Sequence, residues 1–385
     1  QLKVEYKNQS SDTSPNLNEL LNRVERIQET LKPVTYYNIL GPIGLAIRSA
    51  IFRVSDEWLS TENNPEVMAM SSLYNLANQF RETVNSQENI SLSELEQQFQ
   101  QQPKFKAEFE SWLNTYGYLS EVGTDISVLT WQEQPDVFCK TLLSMVQNPT
   151  PTVEKFDPKK LSLGESWRLS QCQSRSIMKG RIAEVYAKLL AYLRWTILAI
   201  ADQAIAANLL EKREDIFFLK LTEIQAWIRQ NETDSLQAIL QKRREQFEKD
   251  RTLQVPNVVY GNTLPKTPVD SSLENQNLSI LTGIPASIGC VEGTIKVCRS
   301  LSESLTNPEE KSILVVPYTD AGWAPLLINA EAIISEVGGQ LSHGAIIARE
   351  YGIPAVMNIP NAVSQFKNGQ RVRVDGYQGT VEILS

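Results

Sequence analysis

Between Gly338 and Val356 the chain reads Gly-Gly-Gln-Leu-Ser-His-Gly-Ala-Ile-Ile-Ala-Arg-Glu-Tyr-Gly-Ile-Pro-Ala-Val, and no other stretch restricts the fold so tightly. A glycine pair leads into a cap, a short apolar helix, a glycine stop and a proline. Ser342 is placed to cap the first turn, Ala345, Ile346, Ile347 and Ala348 continue it, and Gly352 and Pro354 end it. Where that helix begins stands His343, the single histidine among 385 residues. Elsewhere the chain has given up the side chain best suited to proton chemistry near neutral pH.

A helix N-terminus offers unpaired N–H groups and a partial positive charge, so it favours an anion over a cation. That predicts a neutral imidazole at His343, with a ring nitrogen free to act as a nucleophile. A phosphoryl group on that nitrogen would meet backbone donors and the Ser342 hydroxyl, with Gly344 and Arg349 as further support. Gly338 and Gly339 leave room for a bulky partner to approach the ring. The pattern suits a phosphohistidine carrier; the competing reading is a buried histidine that merely caps a turn.

The segment resembles the mobile phosphohistidine domain of phosphoenolpyruvate-utilising enzymes, a family that includes phosphoenolpyruvate synthase, pyruvate phosphate dikinase and rifampicin phosphotransferase. Ordered blocks carry the resemblance over roughly residues 279–385. They are Leu281-Thr-Gly-Ile-Pro-Ala-Ser-Ile-Gly-Cys-Val-Glu-Gly-Thr-Ile-Lys-Val, Ile313-Leu-Val-Val-Pro-Tyr-Thr-Asp-Ala-Gly-Trp-Ala-Pro-Leu, Ala332-Ile-Ile-Ser-Glu-Val-Gly-Gly and Gly369-Gln-Arg-Val-Arg-Val-Asp-Gly-Tyr-Gln-Gly-Thr-Val-Glu-Ile-Leu. The resemblance implies that His343 takes phosphate at one active site and carries it to another by rotation of the whole domain. It also implies that Thr319, Asp320 and Trp323 shape the loop beside the histidine. Some relatives have a threonine under regulatory phosphorylation two residues before the histidine. That position here is Leu341, so control by that route is not expected.

Local patterning agrees independently. Thr294-Ile-Lys-Val-Cys and Arg371-Val-Arg-Val-Asp alternate as half-buried strands, Ile313 to Val316 reads as a buried one, and Asp375-Gly376 marks a hairpin. Residues 1 to about 250 instead pattern as helix almost throughout. Asn16 to Leu31 repeats apolar residues at helical spacing, Ser91-Leu-Ser-Glu reads as a capping box, and the longest helix is expected over Gly164 to Leu210. The expected fold is therefore multidomain. A mostly α-helical N-terminal domain, expected to bind the substrate, would span 1–253 and a Pro-, Asn- and Ser-rich linker 254–278. A C-terminal α/β swivelling phosphohistidine domain would span 279–385.

Composition narrows the partners. A net charge of −8 without long Lys/Arg blocks argues against nucleic acid. Cys139, Cys172, Cys290 and Cys298 lack metal-ligand spacing, and one histidine adds little, so no metal site is expected and the thiols read as free, in a cytoplasmic protein. No signal peptide is visible, and Arg194 and Asp202 interrupt the apolar run Leu189 to Leu210, which reads as a buried helix rather than a membrane span.

The helical half resembles the substrate-binding domain of rifampicin phosphotransferase-like proteins, on Arg194, Leu209-Leu-Glu-Lys-Arg-Glu-Asp-Ile-Phe-Phe-Leu and Tyr116-Gly-Tyr-Leu-Ser-Glu-Val-Gly-Thr-Asp-Ile-Ser-Val-Leu-Thr-Trp. In the last stretch Tyr118 replaces the family's histidine, Leu119 and Thr130 its arginines and Gly123 its glutamate, whereas Asp125 and Trp131 are kept. Asp125 is either the base for an acceptor hydroxyl or a turn cap. Trp131 is either a core aromatic or a substrate platform. Arg175 and Arg194 either neutralise phosphate or pair with neighbouring acids.

Together these readings imply a dikinase-type phosphotransferase. ATP and magnesium would act through an ATP-binding domain absent from this chain, which holds no P-loop pattern, and a small-molecule acceptor would bind the helical part. The chain begins at Gln1 and ends soon after its closing strand. The first reads as part of a longer protein. The second suits rifampicin phosphotransferase order over synthase order, in which a pyruvate-binding barrel follows. The alternatives are a synthase or dikinase piece lacking that barrel and a non-catalytic interaction protein; His343→Ala is expected to fold in either enzyme case.

Overall fold

The computed structural model describes residues 15–54, 58–59, 64–84, 91–147, 158–233, 236–250, 280–299, 312–340 and 342–384. The expected linker over 254–278 and Leu341 lie outside these. The described residues fall into two compact units, within Gln1–Lys32 plus Leu189–Asn277 and within Pro33–Lys188 plus Leu278–Ser385.

The N-terminal part is helical, as its periodicity predicts: α1 (Leu17–Phe52), α2 (Pro65–Val84), α3 (Leu92–Gln100), α4 (Pro103–Tyr116), α5 (Pro135–Gln147), α6 (Leu163–Ala206), α7 (Leu221–Gln230) and α8 (Leu236–Asp250). The capping box at Ser91 forms: Ser91 N–H donates to the Glu94 carboxylate at 3.0 Å and Glu94 N–H to Ser91 Oγ at 3.3 Å. Ser162 and Glu165 open α6 in the same way. Helix α1 runs well beyond the expected end at Leu31, through Pro33 and Pro42. Each proline removes one N–H from the ladder, but Leu45 and Val54 pack with Leu169 and Cys172 and hold the rest in place. A window of α6 is long and apolar enough to cross a membrane by length and composition, and 56% of it is buried inside the protein.

In the first unit, Leu20, Leu21, Val24 and Ile27 form the buried stripe of α1. Glu25 on the same helix takes hydrogen bonds from Arg229 at 2.7 Å and Gln225 at 2.9 Å. In the second, an aromatic core joins Phe80, Phe99, Phe105, Phe109, Trp112 and Phe138 through edge and stacked contacts. Such contacts add to the ordinary gain from burying large apolar side chains.

The C-terminal part is a mixed eight-stranded sheet, as the alternating segments predict. Its strands are β1 (Ile280–Thr282), β2 (Ile284–Ser287), β3 (Cys290–Val297), β4 (Ile313–Val316), β5 (Ala332–Ser335), β6 (Ala355–Met357), β7 (Arg371–Asp375) and β8 (Thr380–Ile383), in the order β1-β8-β7-β3-β4-β5-β6-β2. Strands β3, β4, β5 and β6 run parallel, and β7, β8, β1 and β2 join antiparallel. The short helices α9 (Ala324–Leu327), α10 (His343–Tyr351) and α11 (Ala362–Gln365) lie between strands in sequence. Strands β4, β5 and β6 are buried along their length, as central parallel strands covered on both faces must be. All four cysteines are free.

The hairpin at Asp375 forms around its carboxylate, which accepts from Tyr377 and Gln378 N–H at 2.9 Å, with Gly379 at φ +71°. Gly376 N–H donates to Gly289 O at 2.8 Å, and a Cβ at Gly376 would run into the Ser287 carbonyl. The obstacle is backbone in a paired strand, so it cannot swing aside. Gly376→Ala should therefore lower stability by about 1–3 kcal/mol, read as a lower urea midpoint with an unchanged slope.

Candidate functional site

The parallel strands bring two loops together. Strands β4 and β5 are neighbours, so the segments leaving their carboxyl ends emerge side by side, which is where open α/β sheets build sites. The first carries Thr319 and Asp320, and the second runs through Gly338 and Gly339 to Ser342 and His343. Gly344, on the first turn of α10, touches the first loop. A Cβ there would stand 2.5 Å from the Thr319 side chain, so only glycine admits the contact, and Gly344 N–H donates to Thr319 Oγ1 at 3.1 Å.

Ser342 is the N-cap residue as expected, with φ −67° and ψ 155°, but its hydroxyl makes no cap bond. It donates instead to Gly339 O at 2.8 Å. The expected support for a phosphoryl group from this hydroxyl thus has a competing backbone partner. Gly338 sits at φ +147°, where side chains are strained, and a Cβ would meet Ser342 Oγ at 3.2 Å. Gly339 faces open space, as the reading of room beside the ring requires. Arg349 donates to Ala286 O at 3.0 Å and ties α10 to β2. Trp323 is fully buried with its ring edge-on to Tyr318, so it shapes the loop from within.

The main correction concerns the charge on His343. Its Nδ1 lies 2.6 Å from Glu66 Oε1, a carboxylate on the first turn of α2 whose side chain is only 3% exposed, against 44% for the imidazole. Its Nε2 lies 3.7 Å from Asp320 Oδ1. Burial favours the neutral ring. The Glu66 charge and hydrogen bond, joined by Asp320, outweigh it against an opposing Lys179, and raise the His343 pKa from 6.5 to about 9. Burial likewise pushes the Glu66 pKa up, but the imidazolium, its hydrogen bond and the helix start bring it below its ordinary value. The partial charge of one helix end is weak beside a full charge in direct contact, so the expected neutral imidazole becomes a cation. Nothing in Asn-Pro-Glu-Val at 64–67 marks Glu66 as more than a helix start.

Asp320 is anchored on its other oxygen. Gly123 N–H donates to Asp320 Oδ2 at 2.8 Å, and a Cβ at Gly322 would strike the backbone of Glu121. The backbone of the loop over 116–131 thus meets the loop after β4, beside the histidine. Two departed positions, Tyr118 and Leu119, are buried, and Thr130 accompanies them inward. Asp125 is an exposed turn residue whose Oδ1 accepts from Ser127 N–H at 2.8 Å and Ser127 Oγ at 2.7 Å, which favours the cap reading. Trp131 is buried against Phe138 at 4.6 Å and stacks on Trp112, a core aromatic rather than a platform. Arg194 is buried in the first unit with its guanidinium 5.2 Å from the Phe217 ring centre, whereas His343 belongs to the second. Arg175 is exposed on α6. Among the described residues there is no group of three or more His, Cys, Asp or Glu that could hold a metal ion.

The pair has a definite pH signature. A raised His343 pKa stabilises the fold fully below 6.5, and that contribution is lost as pH rises through about 9. A lowered Glu66 pKa stabilises above 4.5, and that contribution is lost as pH falls through its folded value. Urea midpoints of the wild type should decline between pH 6.5 and 10, and Glu66→Gln should flatten this decline. An identical slope in both proteins would show the pair to be uncoupled.

Comparison with known proteins agrees with this geometry. Residues 308–379 match the mobile domain of PEP-utilising enzymes, and residues 52–167 match the fourth domain of rifampicin phosphotransferase. Rifampicin phosphotransferase of Bacillus cereus is 26% identical across 100% of this chain and 49% of its own length. That of Bacillus subtilis is 27% identical across 86% of the chain and 42% of its length. Phosphoenolpyruvate synthase of Aeropyrum pernix is 40% identical over 26% of the chain and 12% of its length. The chain spans about half the length of the rifampicin phosphotransferases it matches. One match surrounds His343, which is thus set in a segment similar to the mobile domain of PEP-utilising enzymes; the other includes Glu66 and Gly123, in a segment similar to a domain of rifampicin phosphotransferase.

Proposed function

We propose that this chain is the carrier and acceptor-binding portion of an ATP-dependent phosphotransferase, with His343 as the phosphorylated residue. The observation that carries the reading is a half-exposed lone imidazole at a helix start, gripped on one nitrogen by a buried carboxylate, with Asp320 Oδ1 3.7 Å from the other. Fixed orientation with one exposed nitrogen is what a group carrier needs, since phosphoryl transfer depends mainly on positioning and charge.

In this reading ATP binds in a part of the parent protein outside this chain, and magnesium acts there. After Nε2 gives up its proton, the ring takes the β-phosphoryl group, and with one water consumed AMP and inorganic phosphate leave. The segment 279–385 then turns to the helical part, at the position where His343 meets Glu66, and hands the group to an acceptor hydroxyl. The rifampicin phosphotransferase layout is preferred over the synthase layout because the former relative aligns through the helical part as well, the latter over about a quarter of the chain.

The test uses the full-length parent protein with magnesium and ATP labelled at the β-phosphate. Acid-labile label should appear on the wild type and be absent from His343→Gln. Glutamine is a better control than the expected His343→Ala, because alanine would leave the buried Glu66 carboxylate without its partner and destabilise the fold. A wild type that binds ATP yet never labels would point to an interaction protein that has kept the fold.

A further inference from the structure

We propose that Glu66 is a positioning residue for the transfer step: by accepting the hydrogen bond of His343 Nδ1–H, it directs the phosphoryl group to Nε2 and keeps a proton on the ring while that group leaves. The inference rests on the carrier reading above and adds to it an assignment of roles to the two ring nitrogens.

The geometry leaves little choice. Glu66 Oε1 is 2.6 Å from Nδ1, and a carboxylate with its pKa lowered can only accept, so the hydrogen lies on nitrogen. Nδ1 is therefore closed to phosphoryl transfer, and Nε2 is the nitrogen that remains for it. The charged groups acting on the imidazole come from separate elements: Glu66 from α2, Asp320 from the loop after β4, and Lys179 from α6. Asp320 stands 3.7 Å from Nε2 with its other oxygen held by Gly123 N–H, which leaves it beside the transferred group rather than bonded to the ring. Glu66 is buried at a helix start, where neither water nor rotamer freedom can draw it away from Nδ1.

The chemical consequence lies in the leaving group. A phosphoimidazole without a proton would have to leave as an imidazolide anion. With Nδ1–H retained, the acceptor oxygen forms the new O–P bond and the Nε2–P electron pair returns to the ring, which departs as neutral imidazole. The hydroxyl proton passes to solvent. Glu66 is thus useful where the group is handed on, because it favours the protonated ring there.

The lone histidine makes the test clean. Selective 15N-histidine labelling of this chain, purified without a histidine tag, gives one imidazole to observe. The wild type should show a proton retained on Nδ1 as the ring titrates, and treatment with phosphoramidate should place phosphate on Nε2. Release of that phosphate to water, followed by 31P NMR against pH, should be about tenfold or more slower at pH 8 in Glu66→Gln, with partial rescue in Glu66→Asp. The inflection of the rate profile should move to lower pH in Glu66→Gln. A wild type that labels on Nδ1, or release rates and profiles unchanged by Glu66→Gln, would overturn the positioning role and leave the carrier reading standing. Failure of His343 to take phosphate at all would overturn the carrier reading itself. Should the variants fail to fold, the wild-type tautomer and phosphorylation site still decide: an Nε2–H tautomer facing Glu66 rules the proposal out.

Discussion

A carboxylate withdrawn from water must find a cation or surrender its charge. Glu66 meets that requirement with the only histidine of the chain, and the arrangement around the site follows from this one contact. It holds Nδ1 against Glu66 and leaves Nε2 beside Asp320. It also binds the first turn of α10 to the first turn of α2, two helix starts that would otherwise both seek anions. Because Asp320 flanks the ring and is itself pinned by Gly123, the imidazole sits in a negative frame that the Lys179 charge opposes.

The sheet explains why such a frame can be built here. Successive parallel strands deliver their following loops to one edge, so residues twenty or more positions apart in sequence become neighbours without long connections. Thr319 and Gly344 show how close that approach is: the threonine side chain occupies the volume a Cβ would need. The glycine at 344 serves loop contact, while the glycine at 338 serves backbone conformation, and only Gly339 leaves the open space read from the sequence.

The loop over 116–131 shows how changed residues acquire other work. Where the family resemblance implies histidine and arginine, Tyr118 and Leu119 turn into the core, Trp131 N–H bonds back to Leu119 O at 2.7 Å, and Ser120 bridges to Thr130. Gly123, in place of a glutamate, offers a backbone N–H to Asp320 at close range. These substitutions remove charge from the loop and give it a packing and docking role. Sequence alone registered the loss of polar groups; the use made of the remaining backbone was not written in any side chain.

Local physics made much of this protein legible from its sequence. Period-2 runs became β3 and β7, the buried run Ile313 to Val316 became a central strand, the capping box at Ser91 closed as read, and a cap, an apolar turn and a glycine stop bounded the helix of His343. Each depends on residues within a few positions of one another, where chain geometry decides the outcome. The charge on His343 depends instead on Glu66, 277 positions away. No periodicity or spacing links the two, so only tertiary packing could supply the carboxylate that makes a nominally neutral imidazole a cation.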